Sequence, residues 1–204
     1  MNVYGLIGLQ GSGKDTIADY LVLKKGFVKT SFAKKLKDII SILFGWNRDL
    51  VEGSTIDSRE WRNTEDPFWK ISCRKALQVI GTDVFRKNFD DQIWIKSLSR
   101  DLDILELNDT KNVIVTDCRF KNEIDLIKEK NGKIIFIQRG KEPEWSDKVY
   151  TAIEDPTSEE YQYFKDNNIH ETDYNVYYLR KYADIVLYNM GTKEELFEQI
   201  NNIF

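Results

Sequence analysis

Gly8, Gly11, Ser12, Gly13 and Lys14 fall together in the stretch GLQGSGKDT, directly behind the apolar run Val3 to Ile7. Glycines at this spacing let the backbone curl so that several amide N–H groups converge on an anion. A helix starting near Lys14 would add its positive end, and Lys14 itself a full charge. This is chemistry for gripping a polyphosphate. Gly8, four residues, Gly13 and Lys14 fit the Walker A pattern, except that its last position, normally Ser or Thr, holds Asp15. A hydroxyl there binds Mg2+, whereas a carboxylate repels phosphates unless the metal or its water lies between. The metal ligands are therefore left open between Asp15, acting through Mg2+ or its water shell, and Thr16, by a shift of one position. The run VIVTD ends in Asp117 and would deliver a carboxylate at the end of a second strand, as a Walker B metal contact requires. The competing role for Asp117 is to cap the turn that follows.

A second set of candidates lies in SFAKKLK, RKALQVIGTDVFRKNFDD and TDCRFKNE. Arg74 and Gln78 are four apart, so a helix places them on one face, with Gly81 expected to end it. Thr82, Asp83 and Arg86 follow in the next turn. Cations interleaved with amides and hydroxyls can grip a phosphate and read a polar ring edge; the plainer reading is an exposed face laced with ion pairs. Trp61, Trp69 and Trp94 flank this region and would mostly serve packing, with base stacking as the other use. His170, the one histidine, is expected to play a local structural role and no base role.

These residues need a scaffold. Val3 to Ile7, Val113 to Val115, Ile134 to Ile137 and Ile185 to Leu187 are short and β-branched, as strands covered on both faces are; Phe27 and Val28 start a fifth. Between them, Ile17, Ala18, Leu21 and Val22 share one helical face, as do Phe32, Leu36, Ile39, Ile40 and Leu43 ahead of Gly45. Further helices are expected around Ile71 to Ile80, Gln92 to Leu105 and Asn122 to Lys130. Thr192 with Glu195 makes a capping box ahead of Leu196, Ile200 and Ile203. Strands alternating with helices predict an α/β fold: a three-layer sandwich with a mostly parallel sheet of about five strands flanked by helices, ligands sitting at the strands' carboxyl ends. The polar stretch from Gly140 to about Asn168 holds two of the three prolines and lacks an apolar period; it reads either as a mobile flap or as a solvated excursion.

The 204 residues, 41% hydrophobic, suit one domain. A net charge of −4 with both signs mixed argues against a protein whose main work is gripping a nucleic-acid polymer, and any phosphate site must be local. Cys73 and Cys118 lie far apart, which suggests neither a disulfide framework nor a zinc site but two reduced thiols. With no bilayer-spanning stretch and no leader pattern, a cytoplasmic protein without a membrane partner is expected.

Taken together, GSGKDT, SFAKKLK, the string R-x-x-x-Q-x-x-G-T-D-x-x-R, TDCRFKNE and a later strand ending in Arg139 resemble the bacteriophage-type deoxynucleoside monophosphate kinases, and IHETD and ADIVLYNMGTKEEL resemble their carboxyl-terminal part. The likeness covers nearly the whole chain, least securely the flap, and that family tolerates the aspartate of GKDT. It implies a single P-loop kinase domain over 1–204, with an acceptor-binding insertion at about 32–95 and a lid at about 140–168. The implied reaction takes the γ-phosphoryl of ATP to a deoxynucleoside monophosphate, with Mg2+. Lys14 and the loop amides would hold the donor phosphates, and Arg119 and Arg139 would contact phosphate. Lys34 or Lys37, Arg74, Gln78, Gly81, Thr82, Asp83 and Arg86 would form the acceptor pocket. The turn at Asn189, Gly191 and Thr192 would lie near the donor adenine, the other reading being a helix cap. One departure is that the flap carries Lys141, Lys148 and Lys165 but no arginine, so Arg139, Arg180 or Lys181 would have to serve there. The rival readings are a kinase of dephospho-coenzyme A or phosphomevalonate type, and a nucleotide-dependent ATPase or switch. Homodimerisation is left open, and a viral source would place the protein in host cytoplasm.

Overall fold

The computed structural model describes residues 1–204. In chain order its elements are β1 (Asn2–Ile7), α1 (Lys14–Lys25), β2 (Val28–Thr30), α2 (Lys34–Phe44), α3 (Arg48–Glu52), α4 (Ile56–Asn63) and α5 (Cys73–Gln78). A π-helix (Val79–Arg86) follows, then α6 (Ile93–Leu107), β3 (Asn112–Val115), α7 (Lys121–Glu129) and β4 (Lys133–Gln138). The chain closes with α8 (Val149–Glu154), α9 (Glu159–Asp166), α10 (Glu171–Leu179), β5 (Ile185–Tyr188) and α11 (Lys193–Asn201). It forms two compact units, Met1–Thr30 with Asp103–Phe204, and Ser31–Leu102. No helix is long and apolar enough to cross a membrane.

The first unit is built on a five-stranded, all-parallel sheet in the order β2-β3-β1-β4-β5. The apolar runs buried on both faces force this arrangement, since parallel strands need helices on either side. Ile17, Ala18 and Leu21 of α1 and Leu196 and Ile200 of α11 share one core with Leu6, Ile114, Ile135, Ile137 and Leu187. Each of the larger of these contributes roughly 1.5–3 kcal/mol by leaving water. Val22, expected on the same face, is instead 41% exposed, because the sheet and α11 cover only the stripe through Ile17 and Leu21. The capping box at Thr192 and Glu195 forms as its spacing predicts.

The stretch expected to be an unpatterned flap folds largely into α8 and α9. Its core is a few widely spaced aromatics rather than a periodic stripe. Phe164 is buried, lies 4.3 Å from the ring of Tyr174, and meets Trp145 edge-on at 5.7 Å; Trp145 also meets Tyr177 at 5.5 Å.

In the second unit α2 buries Leu36 and Ile40, while Ile39 and Leu43, expected on the same face, remain exposed. Trp46 stacks on Phe44 at 4.3 Å, meets Trp61 at 5.6 Å and donates its indole N–H to Asp66 at 2.8 Å. The α2–α3 junction is pinned by Glu52, which receives Lys37 at 2.5 Å and Arg48 at 2.6 Å. Burial alone would raise the Glu52 pKa, but Lys37 and then Arg48 outweigh it and bring the carboxyl from 4.5 to about 2. A carboxylate held low in the fold contributes stability that is complete above its unfolded value and is lost as pH falls toward the folded one. Lowering the pH from 5 to 3 should therefore lower the urea midpoint of the wild type more than that of Glu52→Gln. Converted to unfolding free energy, the difference should be on the order of 1 kcal/mol, after allowing for solvent at a side chain more than a third exposed.

Candidate active site

β1, the middle strand, ends at Ile7 and hands the chain to a loop that closes on α1 at Lys14. Gly13 is the residue the turn cannot do without. Its φ is +108°, and a Cβ there would stand 2.6 Å from the Asn189 side-chain nitrogen. That nitrogen donates to Ser12 O at 2.9 Å, so the turn after β5 is tied to the loop. Lys14 folds back over the same loop, its Nζ donating to Gly8 O at 2.7 Å and to Leu9 O at 2.9 Å. Arg139, just past β4, donates from Nη1 to Gly11 O at 2.9 Å. Two cations thus sit on loop carbonyls, from which an anion can draw them.

β3 lies beside β1, in register from Asn2 with Asn112 to Gly5 with Val115, and Asp117 follows two residues past its end. Cys118 next to it is buried; burial first, then the charges of Glu123 and Asp117, push its thiol pKa well up, so it stays protonated. Asp15 is exposed, with a carboxylate oxygen 3.3 Å from Lys29 Nζ. Thr16 is half-buried in the first turn of α1. The loop glycines, the α1 N-terminus and Lys14 form a cradle that fits a polyphosphate, and Asp117, Thr16 and Asp15 supply the hard oxygen donors Mg2+ prefers.

Arg119 is partly engaged inside the fold: its Nη1 donates to Thr172 O at 2.7 Å and lies 3.4 Å from Asp173. Its backbone N–H, with that of Phe120, is held by the buried Glu123 carboxylate at 2.6 and 3.2 Å. Arg180 pairs with Glu142 and lies 5.3 Å over the Phe136 ring. His170 caps α10, its Nδ1 accepting from Thr172 N at 3.3 Å, which is the local role expected of it. Gly191 immediately precedes the α11 capping box of Thr192 and Glu195, with the Glu195 carboxylate where a Cβ would project.

In the second unit the expected helix does not stop at Gly81. It continues through it as a π-helix to Arg86. Two contacts account for this. Trp94 donates its indole N–H to Gly81 O at 3.0 Å, and Leu36 packs so closely that a Cβ on Gly81 would fall 2.5 Å from its Cδ2. The change of helix type has a consequence for the candidates at 74, 78, 82 and 86. A step of four overshoots one turn of an α-helix, whereas the wider π turn undershoots, so the two drifts work against one another along this stretch. Arg74, Gln78 and Asp83 are half-buried; Thr82 and Arg86 are buried, Arg86 donating to Asp91 O at 3.3 Å. Asp83 pairs with Lys87 at 3.0 Å, Lys37 is committed to Glu52, and Lys34 is exposed at the start of α2. Trp94, 5% exposed, is a packing residue. Gly81→Ala should cost about 1–3 kcal/mol by overpacking, read as a lower thermal midpoint, and Leu36→Val should recover part of it in the double variant.

A glycine loop between the middle strand of a parallel sheet and its helix, with a carboxylate past the neighbouring strand, defines a P-loop phosphate-binding protein. The family model of deoxynucleotide monophosphate kinases matches residues 52–158. A protein of Acanthamoeba polyphaga mimivirus, named as a candidate deoxynucleotide monophosphate kinase, is 31% identical over 98% of this chain and 94% of its own. The deoxynucleotide monophosphate kinase of Enterobacteria phage T4 is 23% identical over 99% and 98%. Among solved structures, the dephospho-CoA kinase of Campylobacter jejuni aligns over 99% of this chain and 97% of its own, with 18% identity and a TM-score of 0.48. The chain belongs to the deoxynucleotide monophosphate kinase family, a family of phosphotransferases.

Sequence reasoning passed over Gln138 and Glu123. Both are buried polar residues, Gln138 at the end of β4 and Glu123 on α7 holding the backbone of Arg119 and Phe120, and a lone Gln at the end of an apolar run is the only signal the first one leaves.

Proposed function

We propose that the protein transfers the γ-phosphoryl group of ATP to a deoxynucleoside monophosphate, giving ADP and the deoxynucleoside diphosphate. The observation that carries this reading is the phosphate loop at the carboxyl end of β1, flanked by β3 and Asp117, in a chain of this family.

The loop amides and the α1 N-terminus bind the donor phosphates, and Lys14 exchanges its bonds to Gly8 O and Leu9 O for phosphate oxygens. Asp117 and Thr16, with Asp15 through water, would hold Mg2+, which supplies charge neutralisation across the donor oxygens when bound. The turn at Asn189 and Gly191 flanks the adenine. Acceptor binding falls to the Ser31–Leu102 unit, with Arg74 and Lys34 on the phosphate and Gln78, Thr82 and Asp83 reading the nucleoside. Lys37, Gly81 and Arg86 support that stripe from behind.

A phosphate monoester has its second pKa near about 6, so the nucleophile is already an anion at neutral pH and no general base is needed. Catalysis is then positioning plus charge neutralisation, with Lys14, Arg119 and Arg139 facing the oxygens that gain charge in a loose transition state.

A coupled ADP assay with dGMP, dTMP, dCMP, dAMP and their ribose counterparts, together with dephospho-coenzyme A and phosphomevalonate, tests the reading. Turnover is expected with one or more of the deoxynucleotides and not with the last two. Turnover with dephospho-coenzyme A or phosphomevalonate alone would replace it by a related kinase. ADP release indifferent to every acceptor would replace it by an ATPase.

A further inference from the structure

A pocket of about 120 Å3 opens between the phosphate loop and the end of β4, and Gly11, Ser12, Gln138, Arg139 and Tyr177 are among its walls. Two buried atoms of residues in this wall have no hydrogen-bond partner: Ser12 Oγ and Gln138 Oε1, on residues only 3% and 4% exposed. Unpaired polar atoms at such depth are costly, and a fold keeps them where something else satisfies them.

The other end of the Gln138 amide is fully used. Its Nε2 donates to Gly140 O at 3.1 Å and lies 3.4 Å from Tyr177 Oη. Gly140, at φ +69°, is where the chain leaves β4 for the 140–168 segment, and Tyr177 lies on α10, just after it. Trp145, inside the segment, rests edge-on against Tyr177. One buried amide therefore ties the start of the segment to α10, the helix that follows it, while Gln138 lines a pocket shared with the loop's own Ser12. Arg139, one residue further on, is bonded to Gly11 O of the same loop.

We propose that Gln138 is a positioning residue that links the phosphate loop to the 140–168 segment, and that the pocket is a site for ordered water bridging Ser12 Oγ to Gln138 Oε1. The site suits water: its walls are mixed in character, it is large enough, and it is lined by residues that bring a hydroxyl and an amide oxygen without partners. When a triphosphate draws Lys14 and Arg139 off the loop carbonyls, the loop and the end of β4 shift together. The bridge carries that shift to Gly140 and Tyr177, and so to the segment that must exclude water during transfer. The inference rests on ATP binding at the loop, as proposed above, and not on the identity of the acceptor.

The test follows Trp145 emission as ATP and Mg2+ are added, with Trp145→Phe subtracting the other tryptophans, alongside ATP affinity by equilibrium dialysis and kcat. Gln138→Met should leave ATP affinity within about threefold, lose most of the Trp145 response and lower kcat about tenfold, the pattern of a displaced rather than a missing group. Ser12→Ala should act in the same direction, and the double variant should be no worse than the poorer single one, since both cut one link. Should Gln138→Met fail to fold, Tyr177→Phe carries the test, with ATP affinity kept and the Trp145 response reduced, since it removes only the hydroxyl that meets the Gln138 amide. A full Trp145 response in these variants, or losses in kcat that simply multiply in the double variant, would overturn the proposal. A wild type that phosphorylates no deoxynucleotide would sink the functional reading, while the ATP-driven Trp145 response would still decide the coupling.

Discussion

Lys14→Ala is expected to lower kcat by about a thousandfold or more, because its charge is the one full cation set into the phosphate loop itself. That factor corresponds to about 4 kcal/mol of transition-state stabilisation. The structure says why no neighbour replaces it. Arg139 reaches Gly11 O from outside the turn, whereas Lys14 spans Gly8 O and Leu9 O from within it. ATP affinity should fall less than kcat, since the loop amides and the α1 N-terminus remain. The fold should survive, because Lys14 is only half-buried and its two bonds go to loop carbonyls that water can reach once the side chain is gone. Steady-state kinetics with a thermal midpoint measured alongside checks this; a variant keeping a tenth of the wild-type kcat would remove Lys14 from the reaction.

Arg74→Ala should raise the KM for the monophosphate by about ten- to a hundredfold while leaving kcat and the KM for ATP within a few-fold, as loss of one charge-assisted contact does. Arg74 heads the 74-78-82-86 stripe and is only half-buried. Arg86, at the other end, is buried and bonded to Asp91 O, so Arg86→Ala should instead show a lowered thermal midpoint. A split between KM and stability at the two ends of one stripe is a sharper signature than loss of activity at either. Equal effects of both variants on KM would place the acceptor phosphate elsewhere.

The sheet was legible because its signal is local. Runs such as Ile134 to Ile137 are buried on both faces, and no soluble alternative hides so many β-branched residues at that length. The phosphate loop was legible for a similar reason, since Gly13 must be glycine for both its φ and its contact with Asn189. Tertiary decisions were not. Gly81 reads as a helix stop because glycine usually is one, yet here it serves close packing against Leu36, and the resulting π-helix has no sequence period of its own. The 140–168 segment escaped because its core is made of Trp145 and Phe164 closing on Tyr174 and Tyr177 of a later helix. Whether Val22, Ile39 and Leu43 are buried depended on what covers each helix, which periodicity does not contain.

The most direct measurement is the fate of the transferred group: ATP labelled at the γ-phosphorus, incubated with enzyme, Mg2+ and the best deoxynucleotide, with products separated. The label should appear in the β-phosphate of the deoxynucleoside diphosphate, one for each ADP formed, and inorganic phosphate should stay near background. Label found mainly in inorganic phosphate, at a rate no deoxynucleotide alters, would contradict the account.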